Sequence, residues 1–421
     1  MNSEKLIQIR REFRKIAEPG WLEILTTINI IKYLKEMGYS VDYGKKIHST
    51  NRLGVPSKEE YDDYLDSIIL PEVDFNIEEI VEGYTGAVAY LDTGNPGKTI
   101  GIRVDIDAIY LKESDDEEHR PNKLGFRSKN DNACHACGHD AHIAIGIGIA
   151  EYIMENKNSL KGKYVIIFQP AEEGVRGGKS ITDAGVLDEV DYFMSAHIGA
   201  GKTKNELGVG TIGFLGTMKY DIKYFGIPTH SGSSPEKGRN ALLAACSCAL
   251  NLHTLPQTGA GMSRLNVGTL NAGTGRNVIP SQAKMQIEVR GENSEITELL
   301  SKRVVQVVDG ASLSYDVKSE IEMVGAAPAF MTINPEFVDY VGEKMIEYGY
   351  NVVMKPSING SEDVSYMMEK VEENGGKSIH YIFGTKLEAL HHNDRFDYDE
   401  EVLELGVNAF KDTIKIFNEL D

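Results

Sequence analysis

Cysteine is scarce in this chain: four residues in 421, at Cys134, Cys137, Cys246 and Cys248. Both pairs are too close in sequence to cross-link distant elements, so a disulfide-stapled scaffold is excluded and a reducing, cytoplasmic setting is expected. An excess of cations is also missing. Acidic residues outnumber basic ones by 64 to 44, a formal charge of -20, and such a surface repels phosphate backbones, which argues against a nucleic-acid partner. Long apolar runs are absent as well: IAIGIGIA from Ile143 ends at Glu151, and the charged start MNSEKLIQIRREFRK leads into no apolar stretch. Neither a targeting leader nor a membrane-spanning segment is therefore expected. The 41% apolar and 26% charged residues are ordinary globular proportions, and the length suits two or three domains.

Apolar positions at helical spacing (Leu6, Ile9, Phe13, Ile16, then Ile24, Ile28, Ile31, Leu34) predict two opening helices, the second stopped by Gly38. TGAVAYLDTG and KTIGIRVDID read as buried strands on either side of Asn95-Pro96-Gly97. KYVIIFQP and DYFMSAHIG read as strands that end where His, Glu or Gln residues begin, with a helical run from Asp140 to Asn156 before them and a Gly-rich helical segment between them. This alternation predicts an open mixed-sheet α/β domain with ligands at the carboxyl ends of its strands. The middle differs. TMKYDIKYFG, RNALLAACSCALNLHTL, RLNVGTL, KMQIEVRG, SEITELLSKRVVQVV and LSYDVKSEIEM give the order βαββαβ, a ferredoxin-like unit inserted at 213–324. Residues 1–212 and 325–421 are then two segments of one α/β domain, the latter with a helix near 335–348, a strand near KSIHYIFG and a closing helix from Asp399.

The densest chemical cluster is CHACGHDAH, with Cys134, His135, Cys137, His139, Asp140 and His142 between a polar loop and a helix. Thiolate and imidazole are strong ligands for borderline-soft divalent metals, and a loop just before a helix can converge them. A structural zinc knot built on C-x-x-C-x-H is the alternative, but Cys246 and Cys248 lie in an apolar helix of the other domain and offer it no evident partners. QPAEEG places Glu172 beside Glu173, and SAHIG places His197, both at strand ends. An exposed Glu pair is more often a solvated surface. Following VIIFQP, and in company with Cys137, His139 and His197, it instead suits one carboxylate on a metal and its neighbour on the proton of a water. His391 and His392 in LHHND can add a ligand. GTGRNVIP lacks a following helix in a βαβ unit, so it is not read as a dinucleotide fingerprint.

In order, DIDA, HACGHDAH, QPAEEG, AHIG, PTHSGSSPEKGRNA, GRNVIP and HHNDRFDYDE resemble the motifs of the M20 metallopeptidase and amidohydrolase family, in its aminoacylase-like branch, over essentially the whole chain. The resemblance implies that Cys137, His139, Glu173, His197 and His392 hold two divalent ions, Zn or Mn, with the Cys137 thiolate able to bridge them and His391 as the fallback for His392. Glu172 takes the general-base position and His230 that of the residue presented to the scissile carbonyl, often across a dimer. Asp105 and Asp107 then orient ligands, an edge-of-strand structural role being the alternative. Asn277 and Arg290 match substrate-holding positions, Arg290 through its bidentate fork, with a structural Arg as the other reading. The inserted domain becomes a lid and dimerisation unit. The implied reaction is hydrolysis of N-acyl amino acids, specifically an aroyl-glutamate such as p-aminobenzoyl-glutamate, by a homodimer or by a heterodimer with a related subunit. Other N-acyl amino acids or dipeptides are the alternative within that chemistry. A non-catalytic binding protein with a structural metal site is the alternative outside it.

Overall fold

The computed structural model describes residues 1–420. The chain forms two units, one comprising Met1–Ile212, Met331–Ile358 and the residues from Asp363 onward, the other Gly213–Phe330 with Asn359–Glu362.

The first unit is built on an eight-stranded sheet in the order Ser40–Tyr43, Ala87–Asp92, Lys163–Gln169, Thr99–Asp105, Tyr192–Ile198, Lys377–Phe383, Glu206–Val209, Asn351–Met354. The strands from Lys163–Gln169 to Lys377–Phe383 are mutually parallel, while antiparallel pairings flank them. Ala87–Asp92 and Thr99–Asp105, consecutive in sequence, are not paired with each other, because Lys163–Gln169 lies between them. Near-continuous apolar runs such as YVIIF suit strands buried on both faces. The helix His139–Asn156 is buried almost all round, packed with Ser3–Ile16 and Glu401–Glu419. Gly38 ends the helix Ile24–Met37 in the left-handed conformation, φ 92°, with its N–H on Leu34 and Lys35 carbonyls.

The second unit has a four-stranded antiparallel sheet in the order Lys318–Ala327, Gly216–Phe225, Gln282–Gly291, Ser263–Ala272. The helices Ala241–Leu252 and Ser294–Tyr315 bury one face of it around Ile222, Tyr224, Met285, Val289, Cys248 and Val304. Asn240 and Asn293 start these helices by accepting the Leu243 and Ile296 N–H groups. Two boundaries depart from expectation. The second unit runs past 324 to Phe330, because its last strand continues to Ala327, and it takes in Asn359–Glu362. LSYDVKSEIEM is not one strand: Leu313–Tyr315 continue the helix, Asp316 closes it at φ 50°, and the strand begins at Lys318. Asp tolerates the left-handed region, whereas the β-branched and aromatic residues that suggested a strand are also compatible with a helix packed on a core.

Candidate metal centre

The carboxyl ends of the parallel strands and the loops after them gather Asp105, Asp107, Glu172, Glu173 and His197. Facing them is the turn Cys137-Gly138 at the start of the helix His139–Asn156. Gly138 is the residue that permits this turn: its φ is 95°, and a Cβ there would lie 2.4 Å from Ile198 Cδ1. The QPAEEG turn is similarly constrained, with Ala171 at φ 52° and Val175 at φ 59°. Its backbone is tethered on both sides of Glu172. Ala171 N–H donates to buried Glu23 at 2.7 Å and Glu173 N–H to Asp107 at 2.9 Å.

Two groups of donor atoms share one thiol. Cys137, His139 and His197 offer ligand atoms within 4.8 Å of one another, and so do Cys137, Glu173 and His392. Cys137 Sγ is 3.4 Å from His197 Nε2, and His392 Nε2 is 3.4 Å from Glu173 Oε1. The far nitrogens are engaged, as ligand imidazoles require: His139 Nδ1 contacts Asp107 at 3.2 Å, and His197 Nδ1 donates to the Ile198 carbonyl at 2.7 Å. His139 Nε2 is buried with no hydrogen-bond partner. Glu172, also buried, lies with Glu173 and His139 in a further donor group.

The electrostatics describe a site suited to positive charge. Burial, then the Glu173 carboxylate, pushes the Cys137 thiol well up. Burial alone would lower His139, but the charge of Asp105 and the hydrogen bond to Asp107 raise it well above the usual range. Burial and the neighbouring His142 drive His197 far down, keeping it neutral with a lone pair available.

Of the two adjacent histidines, His392 joins Cys137 and Glu173, whereas His391 spends Nε2 on the Ile198 carbonyl at 3.2 Å. The residues expected to hold substrate lie in the second unit. His230 Nδ1 accepts the Gly232 and Ser233 N–H groups at 3.1 and 3.2 Å, which places the proton on Nε2. His230 pairs with Val278 as an isolated bridge, and the Asn277 carbonyl accepts the Ser231 N–H, so His230 and Asn277 are neighbours. Arg290 sits near the other end of the same sheet, and its fork is closed on Glu288 at 2.8 and 3.0 Å.

Several residues were not singled out in the sequence. Arg103, within an otherwise apolar strand, binds Asp105 at 2.7 Å, Gln169 at 2.8 Å and Asp363 at 3.3 Å. A buried arginine in an apolar strand demands such partners, and that was the available signal. Burial raises the Asp363 carboxyl to about 6 despite Arg103. Arg10 and Arg14, at i and i+4 on the opening helix, are also buried. Arg10 lies 2.8 Å from Asp140, which Arg14 also contacts, and Arg14 binds Glu113 at 2.6 Å.

A model of peptidase family M20/M25/M40 matches residues 101–416. A p-aminobenzoyl-glutamate hydrolase subunit homolog of Haemophilus influenzae is 42% identical over 418 residues, covering 99% of each chain. The indole-3-acetyl-aspartic acid hydrolase of Enterobacter agglomerans is 39% identical, covering 96% of this chain and 94% of the other. The crystal structure of the aminobenzoyl-glutamate utilization protein from Klebsiella pneumoniae is 34% identical with a TM-score of 0.81, covering 98% of this chain and 95% of that one. With a shared thiol between two donor groups and a family match over most of its length, the chain belongs to peptidase family M20/M25/M40 and is a hydrolase of that family.

Proposed function

We propose that the protein cleaves the amide bond of N-acyl amino acids whose amino acid is acidic, p-aminobenzoyl-glutamate foremost. The observation that carries this reading is Cys137, one thiol common to two donor groups, with Glu172 beside them. Two relatives similar over nearly the whole chain are named for different acyl groups, p-aminobenzoyl and indole-3-acetyl, but both for an acidic amino acid.

The donor set fits two divalent ions, Zn or Mn: Cys137, His139 and His197 would hold one, and Cys137, Glu173 and His392 the other. When bound, the ions supply Lewis acidity to the carbonyl and lower the pKa of a water. Glu172 takes the proton of the attacking water and returns it to the leaving nitrogen. Asp107 fixes His139 through Nδ1 and Glu173 through its N–H, so both ligands are oriented by one carboxylate. His230, with its proton on Nε2, donates to the carbonyl oxygen as negative charge develops there.

The second unit serves as a lid and dimerisation module. Arg290 lies eight residues along its strand from Gln282, a separation of about 27 Å, while His230 and Asn277 adjoin the Gln282 end. That span exceeds a small N-acyl amino acid, so one chain cannot offer both groups to one substrate. The missing set comes from a second copy or from a related chain, in keeping with a relative that is itself named as one part of a larger enzyme. No helix among the described residues is long and apolar enough to cross a membrane, and the four free cysteines fit a cytoplasmic location.

The test is amino acid release from p-aminobenzoyl-glutamate and a panel of other N-acyl amino acids, with Mn and with Zn, alone and with a candidate partner chain. Release of glutamate that is abolished by chelation is expected. Hydrolysis of neutral conjugates only would overturn the substrate, and a single ion whose removal unfolds the chain would favour a structural site.

A further inference from the structure

The second unit carries a cleft of about 500 Å³ lined by Arg264, Arg290, Glu288, Asn266 and Ser263, among others. It lies on the open face of the sheet. Arg290 stands directly opposite Arg264, and Glu288 opposite Asn266, while Val289 and Leu265 between them turn into the helix-covered core. Two arginines directly opposite each other on antiparallel strands repel. Glu288 answers only one of them: its carboxylate takes both arms of the Arg290 fork. Arg264 is exposed and makes no hydrogen bond or ion pair among the described residues. Lys219 follows on the next strand, opposite Glu288. In a chain of formal charge -20, this face retains an unanswered guanidinium.

We infer that this cleft is a dicarboxylate subsite, in which Arg290 receives the α-carboxylate of the amino acid and Arg264 selects the carboxylate of its side chain. The inference rests on the reading of the protein as a hydrolase of acidic amino acid conjugates and names the residue that makes it prefer them. A guanidinium meets a carboxylate through two parallel hydrogen bonds, which fixes geometry as well as charge. The Asn266 amide, on the same face, adds a neutral donor beside it. An amino acid with a neutral side chain gives Arg264 nothing to bind, so this residue acts on selectivity and leaves the reaction itself untouched. Glu288 has a matching part: it neutralises Arg290 when the cleft is empty and yields one arm of the fork to the incoming α-carboxylate.

The experiment compares wild type with R264Q and R264K on p-aminobenzoyl-glutamate, p-aminobenzoyl-glutamine and p-aminobenzoyl-alanine. It pairs this with calorimetric binding of the same compounds to EDTA-dialysed protein, where no turnover occurs. R264Q is expected to lower kcat/KM on the glutamate conjugate about 10-fold to 150-fold, mainly through KM, and to stay within about 3-fold on the other two. R264K should fall between wild type and R264Q, because it keeps the charge and loses the fork. Equal losses on all three compounds, or no loss on the first, would overturn the subsite. If wild type cleaves none of them, binding decides. A glutamate conjugate held tenfold more tightly by wild type than by R264Q would keep the subsite and remove the hydrolytic reading, whereas equal affinity would overturn the subsite too.

Discussion

His142 and Asp105 are joined by a 2.5 Å hydrogen bond from Nδ1 to Oδ1, and His142 Nε2 accepts the Ile198 N–H at 3.0 Å. Both ring nitrogens are thereby used. Although His142 lies one helical turn beyond His139, it has no lone pair left for a cation, and its work is to join the first turn of the helix to two strand ends. His142→Ala should keep both ions and lose about 1 to 3 kcal/mol of stability, since buried Asp105 and the Ile198 N–H each lose a partner. Elemental analysis after dialysis and urea unfolding together check this, and loss of an ion would make His142 a ligand.

Glu172→Gln preserves shape and removes proton transfer. Turnover should fall about 100-fold to 10,000-fold with metal content unchanged, the range typical of general acid-base groups. Retention of more than about a tenth of the wild-type rate would take the base role away from Glu172.

Cys137 and Cys134 are separated by two residues but differ in surroundings. Cys137 belongs to both donor groups, whereas Cys134 is buried away from them, its thiol pushed up to about 12 by burial and by Glu113. Cys137→Ser should release at least one ion, because a neutral hydroxyl is a far poorer ligand than a thiolate. Cys134→Ser should release none. Equal loss in both variants, measured by elemental analysis, would point to a C-x-x-C site.

His48 is buried between Thr85 and Ser180, with Nε2 2.7 Å from the Thr85 carbonyl and Nδ1 3.1 Å from the Ser180 hydroxyl. Burial lowers its pKa from 6.5 to about 4. A histidine depressed in this way contributes stability that is present above its unfolded value and lost as pH falls from there toward its folded value, because the unfolded chain takes up the proton first. His48→Gln can keep both hydrogen bonds without titrating. Between about pH 7 and about pH 4.5 the variant should lose on the order of 2 kcal/mol less stability than wild type. Parallel loss in the two proteins, followed by urea unfolding at each pH, would show that His48 does not contribute.

Two of the candidate donors were legible in the motifs because Glu173 and His197 sit at or just after strand ends, where an apolar run such as VIIFQ stops abruptly at polar residues. What escaped notice was of two kinds. Four-residue strands such as Ser40–Tyr43, Glu206–Val209 and Asn351–Met354 are too short to show a period, and their pairing in the sheet is a tertiary event. The supporting charges were also hidden. His139 and His142 are three residues apart in one helix, and only their hydrogen bonds distinguish a ligand from a spacer. Arg264 reads as an ordinary solvated residue until the register sets it opposite Arg290. The pairing of Arg290 with Glu288, two residues before it on the same face, is a side-chain choice that a strand pattern does not state.

The charge cluster around Asp140 has a consequence for the time at which the centre can form. Asp140, in the first turn of the helix that carries His139, is neutralised by Arg10 and Arg14 and accepts a hydrogen bond from Tyr398 at 3.0 Å. Arg10 in turn bonds Asp397 and Glu400. The ring is therefore closed by residues near both ends of the chain. During synthesis the candidate donors from Cys137 to His197 emerge long before His392 and Tyr398, so a nascent chain holds thiol and imidazoles with neither the last candidate donor nor the completed charge ring. Long-range closures of this kind are slow. A metal held by the proposed donor set would be captured only once the final thirty or so residues had docked.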